Sequence, residues 1–119
     1  CIETGVALQT QESWCEFISK DLQSISFGGN AAELYFEEDK FDDFLKKLAA
    51  IKGIFYVHPV QQYSWGQRVI RFYDPDFHIL EVGENMKSVC RRFLDSGMTI
   101  EAAAVRMNVP EKFVRACVR

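Results

Sequence analysis

A chain of 119 residues with 48% apolar and 26% charged side chains has room for one domain and a small appendage, and its balance excludes a disordered or fibrous protein. The formal charge of −3 excludes a wholly basic nucleic-acid binder, and no apolar run approaches the ~20 residues that cross a bilayer. Residues 1–86 hold seven basic and fourteen acidic side chains and residues 87–119 seven and three, so an acidic body carries a basic tail.

The chain opens on Cys1-Ile2-Glu3-Thr4-Gly5-Val6-Ala7-Leu8-Gln9, which predicts a strand, or two short ones meeting at Gly5. It begins with Cys in place of Met inside an apolar stretch, and so reads as starting mid-fold. Trp14, Phe17, Ile18 and Leu22 recur at gaps of three and four and predict a short amphipathic helix over 12–22, or an irregular connection. Gly28-Gly29 punctuates the chain. Ala31 to Glu38 then alternates as a strand, Leu34 and Phe36 on one face, Glu33, Tyr35 and Glu37 on the other.

Asp39 is placed to cap a helix with the apolar stripe Phe41, Phe44, Leu45, Leu48 and Ile51, ended by Gly53. Strands are expected at Ile54–Val60, Gln67–Tyr73 and His78–Val82, the last two joined by a tight Asp74-Pro75-Asp76-Phe77 turn whose aspartates bond back to the backbone. Residues 31–83 therefore read β-α-β-β-β. After Gly83 the pattern turns helical: Val89, Phe93 and Leu94 up to Gly97, a helix capped by Thr99 over Ile100–Met107, and a third after Pro110. Cys1, Cys15, Cys90 and Cys117 form no C-x-x-C pair and neither histidine stands at zinc-finger spacing, which fits a reduced, cytoplasmic chain with cysteines as core fillers. No charged-then-apolar leader opens it.

The β-α-β-β-β pattern ending in Phe72-Tyr73-Asp74-Pro75-Asp76-Phe77-His78-Ile79-Leu80-Glu81 resembles the glyoxalase/bleomycin-resistance/dioxygenase superfamily, the vicinal oxygen chelate proteins. Glu33-Leu34-Tyr35-Phe36-Glu37 before the Phe41–Leu48 helix and Trp65-Gly66-Gln67-Arg68 before the final hairpin support it. The resemblance implies an α+β fold of paired βαβββ modules whose sheets curl around a cleft. Residues 1–29 would be a partial first module and connection, 30–84 the second module, and 85–119 a helical tail. With the first module incomplete, either residues precede Cys1 in the full protein or another subunit completes the cleft. A homodimer is expected by resemblance alone.

The resemblance also places a divalent metal on the concave face, with Glu81 as a ligand and Glu33 where the family usually has a ligand histidine. In the first module only Gln9 could coordinate. Such oxygen-only ligation suits magnesium or manganese better than zinc. Without a metal, Glu33 and Glu81 would be solvated cleft residues. Glu33 is also the candidate catalytic base. His78, three residues from Glu81, faces the other way in a regular strand.

Arg71 shares parity with Gln67, Val69 and Tyr73. Facing inward it would hold a carboxylate, phosphate or phosphonate in two hydrogen bonds, or else pair with Glu33 or Glu81. Tyr35 and Gln67 belong to the same candidate substrate-binding face, where Tyr35 would stack or donate a hydrogen bond or else pack in the core, and Trp65 would either cover the cleft mouth or anchor its loop. His58, before Pro59, would be an edge residue or a proton shuttle. Cys90 stays structural, and no Ser–His–acid spacing or glycine-rich phosphate loop is present.

The expected function is binding of a small polar or anionic molecule in a sheet-lined cleft, with a metal-assisted lyase, isomerase or transferase reaction as its catalytic form and ligand sequestration as the alternative. A second alternative is a DNA-binding regulator. Thr99–Arg115 reads as a helix-turn-helix, with Arg91, Arg92, Arg106, Lys112, Arg115 and Arg119 as phosphate contacts. Its short, apolar second helix favours an appendage that docks on the acidic body or a neighbouring subunit instead. No membrane partner is expected.

Overall fold

The computed structural model describes residues 5–118. Residues 5–10 carry no regular structure, so the strand expected there is absent from its described part, and positions 1–4 lie outside the described residues. Helix α1 spans Gln11–Ile18, capped by the Thr10 side chain on the Ser13 amide at 3.2 Å, and a 3-10 turn follows at Leu22–Ser24. The amphipathic segment is thus broken in two at Ser19, which takes the left-handed conformation at φ 55°.

Strand β1 is Glu33–Glu38, helix α2 Phe41–Ala50, β2 Tyr56–Gln62, β3 Arg68–Tyr73 and β4 Ile79–Glu84. This is the β-α-β-β-β order that the alternation of the sequence predicts. The sheet runs β1-β4-β3-β2, with β1 parallel to β4 and the other neighbours antiparallel. Alternation sends Ile70, Phe72 and Val82 to one face, where the α2 stripe of Phe41, Phe44, Leu45 and Leu48 covers them. Asp39 does not cap α2. The cap position is Lys40, which has no side-chain cap bond, and its amide is taken by the Glu38 carboxylate at 2.8 Å.

β2 pairs irregularly, its register shifting on both sides of His58. Pro59 supplies no N–H to a ladder, and an edge strand is where that loss is tolerated. The β3–β4 turn closes as its sequence predicts: Asp74 Oδ1 accepts from the amides of Asp76 and His78, both at 2.9 Å.

The tail folds as α3 Met86–Asp95, α4 Ile100–Met107 and α5 Glu111–Cys117 around their own core of Val89, Cys90, Phe93, Ala103, Ala104, Met107, Val114 and Cys117. Asn85 caps α3 and Thr99 caps α4. Asn108, left-handed at φ 55°, turns the chain into α5.

Candidate functional site

The sheet face opposite α2 carries the chemistry. Period-two alternation puts Glu33, Tyr35 and Glu37 of β1, Glu81 and Gly83 of β4, and Val69 and Arg71 of β3 on it. Register does the rest: Glu81 lies between Tyr35 and Arg71, and Gly83 between Glu37 and Val69. The three residues singled out from the sequence, Glu33, Arg71 and Glu81, therefore meet on one surface.

Arg71 is the hub. Its Nε donates to Glu33 Oε2 at 2.7 Å and its Nη2 to Glu33 Oε1 at 3.4 Å and to Glu81, while Nη1 donates to the Tyr63 hydroxyl at 2.6 Å and to His58 Nε2 at 3.2 Å. All five guanidinium protons thus have protein acceptors. Of the two roles open to Arg71 from sequence, the ion pair is the one formed, and with both carboxylates at once. His58 Nδ1 sits 2.7 Å from the Pro59 carbonyl oxygen, which fixes the neutral tautomer that leaves Nε2 free to accept.

The two carboxylates are driven apart in acidity. The hydrogen bond from Arg71, with one from Glu81, holds Glu33 below the ordinary carboxylate range. Burial pushes Glu81 up, reinforced by its contact with Glu33 and only partly offset by Arg71. The exposed member of the pair is the ionised one, and the buried member, only 5% exposed, is the readier to hold a proton.

A second network adjoins the first. Trp65 Nε1 donates to Gln67 Oε1 at 3.1 Å, and Gln67 Nε2 donates to the Tyr35 hydroxyl at 2.9 Å and to the Glu84 carbonyl at 3.0 Å. The Tyr35 hydroxyl donates on to Glu37 at 3.2 Å. Burial lifts the Tyr35 hydroxyl above its ordinary pKa, so it stays a protonated donor. Gly83 makes this packing fit, because a Cβ there would stand 2.8 Å from Gln67 Nε2 and 3.1 Å from the Tyr35 ring. Trp65 stacks on Tyr63 with centroids 4.4 Å apart, and with its bond to Gln67 this makes it the anchor of the β2–β3 loop. Tyr63 belongs to the site and carries no signal in the sequence that marks it.

The carboxylates expected to hold a metal hold the Arg71 guanidinium instead. A divalent ion would have to take its place, and among the described residues the further oxygen beside it is the Tyr63 hydroxyl; Gln9 bonds Ser13 at 3.1 Å and lines a cleft of about 700 Å³ with Trp14, Phe27, Asp76 and His78. Glu33 and Glu81 as arranged do not fit a resident metal ion. A different grouping, Asp74, Asp76 and His78, brings ligand-type atoms within 4.8 Å of one another. There Asp74 already serves the turn and accepts from His78 Nδ1 at 2.9 Å. Burial would raise the Asp74 carboxyl, but the His78 and Asp76 hydrogen bonds outweigh it and hold it low.

In the tail, Arg115 donates to Glu111 at 3.0 Å and stands 3.9 Å from Glu101. Arg92 turns inward to Glu84, and Arg106 lies over the Phe93 ring. No helix among the described residues is long and apolar enough to cross a membrane.

Among solved structures, the chain is similar to a protein of unknown function from Agrobacterium tumefaciens str. C58, at 38% identity over 61% of this chain and 56% of that one, with a TM-score of 0.48. It is also similar to a member of the glyoxalase/bleomycin resistance protein/dioxygenase superfamily from Sphaerobacter thermophilus DSM 20745, at 27% identity over 44% of this chain and 41% of that one, with a TM-score of 0.39. The matched part thus spans 56% and 41% of the lengths of those two proteins. No curated protein matches the sequence. The model of the glyoxalase-like domain matches residues 1–87, the body that carries the whole sheet. The chain belongs to that family.

Proposed function

We propose that this chain binds a small polar molecule on the Glu33–Tyr35–Arg71 face, and that the preferred ligand carries a cationic or donor-rich group in place of an anionic one. The saturated guanidinium of Arg71 carries this reading. An anion would have to displace two carboxylates to reach it, whereas Glu33 and Glu37 are exposed and outnumber the arginine. Tyr35 offers a half-exposed ring beside them, which suits an alkylammonium group. A ligand-binding role, catalytic or sequestering, needs only this face. A metal-assisted glyoxalase-type reaction at Glu33 and Glu81 has less support, since Arg71 fills the place of the ion.

The test is an NMR titration of the ¹⁵N-labelled chain with choline, its uncharged carbon isostere 3,3-dimethyl-1-butanol, and lactate. Choline is expected to shift the amides of Glu33, Tyr35 and Glu81 more than either other compound, and Glu33→Gln to remove the preference. Lactate shifting these amides most, or none of the three shifting them, overturns the reading.

A further inference from the structure

Helix α3 reaches the loop and strand residues of the candidate site from two directions. At its start, the Asn85 side chain that caps the helix through the Lys87 amide at 2.9 Å also donates to Glu37 Oε2 at 3.1 Å, and the other oxygen of Glu37 receives the Tyr35 hydroxyl. In its middle, Arg92 Nη2 donates to the Gly66 carbonyl at 2.8 Å and to Glu84 Oε2 at 2.9 Å. The rim of the Phe93 ring abuts Gly66, where a Cβ would stand 2.2 Å from Cζ, and Gly66 is left-handed at φ 87°. No side chain fits between the helix and this turn.

Gly66 is the fourth residue of the turn, which is closed by the Gly66 amide on the Tyr63 carbonyl and the Tyr63 amide on the Gln67 carbonyl, both at 2.9 Å. Tyr63 and Gln67, the ends of that turn, are the residues that hold Arg71 and Tyr35. Glu84 sits beneath, buried, with Arg68 and Arg92 on its carboxylate and Gln67 on its carbonyl. Burial alone would raise its pKa, but the two arginines win and keep it charged.

We infer that Asn85, Arg92 and Phe93 of α3 are positioning residues for the sheet-face site: they clamp the Tyr63–Gln67 turn and the Tyr35–Glu37 pair, so docking of the tail sets the geometry of the ligand-binding face. The inference rests on the proposed function for its ligand, but the clamp itself is tested without one. Each contact is short and fixed at both ends, so loosening any of them releases the turn more than the sheet, which β3 and β4 hold by their own ladder.

The experiment uses the full chain with Trp14→Phe, leaving Trp65 as the single tryptophan. Arg92→Ala, Arg92→Lys, Asn85→Ala and the control Arg91→Ala are compared by Trp65 emission and acrylamide quenching, by far-UV circular dichroism, and by choline affinity. Arg92→Ala should raise the quenching constant about twofold with a red-shifted emission and an unchanged circular dichroism spectrum. Arg92→Lys, which keeps one donor, should recover most of the difference, and Arg91→Ala should change nothing. Choline affinity should fall about threefold in Arg92→Ala and less in Asn85→Ala. Trp65 signals that stay unchanged in both alanine variants overturn the clamp. If Arg92→Ala does not fold, Arg92→Lys and Asn85→Ala decide by the same signals. A Trp65 response in the alanine variants of a protein that does not bind choline refutes the ligand reading and leaves the clamp standing.

Discussion

The tail and the sheet solve the problem of burial differently. Within residues 86–118 three short helices enclose Val89, Cys90, Ala103 and Val114 without measurable exposure. The sheet leaves Leu34 and Phe36 on β1 and Tyr56, Val57 and Val60 on β2 substantially exposed. Dimensions explain the contrast. Four strands at about 4.8 Å spacing make a surface close to 20 Å wide, while one helix with its side chains is about 10 Å across. Helix α2 therefore covers the central strands β3 and β4 and not the edges. The radius of gyration, 18.4 Å against roughly 13–14 Å for a compact domain of this length, belongs to an elongated molecule measuring 56 × 31 × 23 Å. The tail has a closed core of its own, with Val105 and Val118 left outside it, while burial in the body is partial.

The sharpest way to break this comparison is a matched pair of truncations. Met107→Ala, deep in the tail, should cost about 3–4 kcal/mol in urea denaturation, and Leu34→Ala on the open edge under about 1 kcal/mol. Equal costs would mean that the edge strand is covered after all.

A second contrast concerns charge. Arg71→Ala removes the cation over buried Glu81 and should destabilise the body by about 2–3 kcal/mol at neutral pH. The pH dependence has a definite sign. Burial and Glu33 already raise Glu81 above 4.5, and loss of Arg71 raises it further. The Glu81 share of the penalty should vanish well below its raised value, where that carboxyl is protonated in folded and unfolded chains alike, and should grow as the pH climbs through it; the Glu33 share, from a carboxyl that Arg71 holds low, should fade only in stronger acid. A penalty that grows towards acid would contradict this assignment of the proton.

A single cap contributes a small and local effect. Thr99→Ala should cost about 1 kcal/mol by freeing the Ala102 amide, and in native-state hydrogen exchange the loss should appear in α4 and α5 and spare the strands. Equal loss of protection in β3 and β4 would show that tail and sheet unfold as one unit.

What the sequence makes legible follows from the range of the forces involved. The alternation of Glu33–Glu38, the stripe Phe41–Leu48, the aspartate turn at 74–77 and the Thr99 cap are written within a few residues, and each forms as read. The grouping of Glu33, Arg71 and Glu81 on one face is legible for the same reason, since parity is local. Which role Arg71 takes is not, because its choice depends on the parallel register of β1 with β4, strands 46 residues apart at Glu33 and Ile79. Tyr63 sits in a loop whose direction is set by Gly66 and Phe93, 27 residues apart, and nothing near it in sequence announces the contact. Asn85 and Arg92 read as a helix cap and a surface cation. Their second function exists only once α3 lies against the turn.

The closed core of the tail has a practical consequence in its sulfur atoms. Cys90 and Cys117 are both buried free thiols, and burial, with the neighbouring Cys117, pushes Cys90 up to about 11. At neutral pH neither is open to an alkylating reagent while the helices stay closed, so each modification event records one excursion of α3 from α5. Mass-resolved labelling of these two positions therefore clocks the breathing of the tail directly, with no dye or engineered probe.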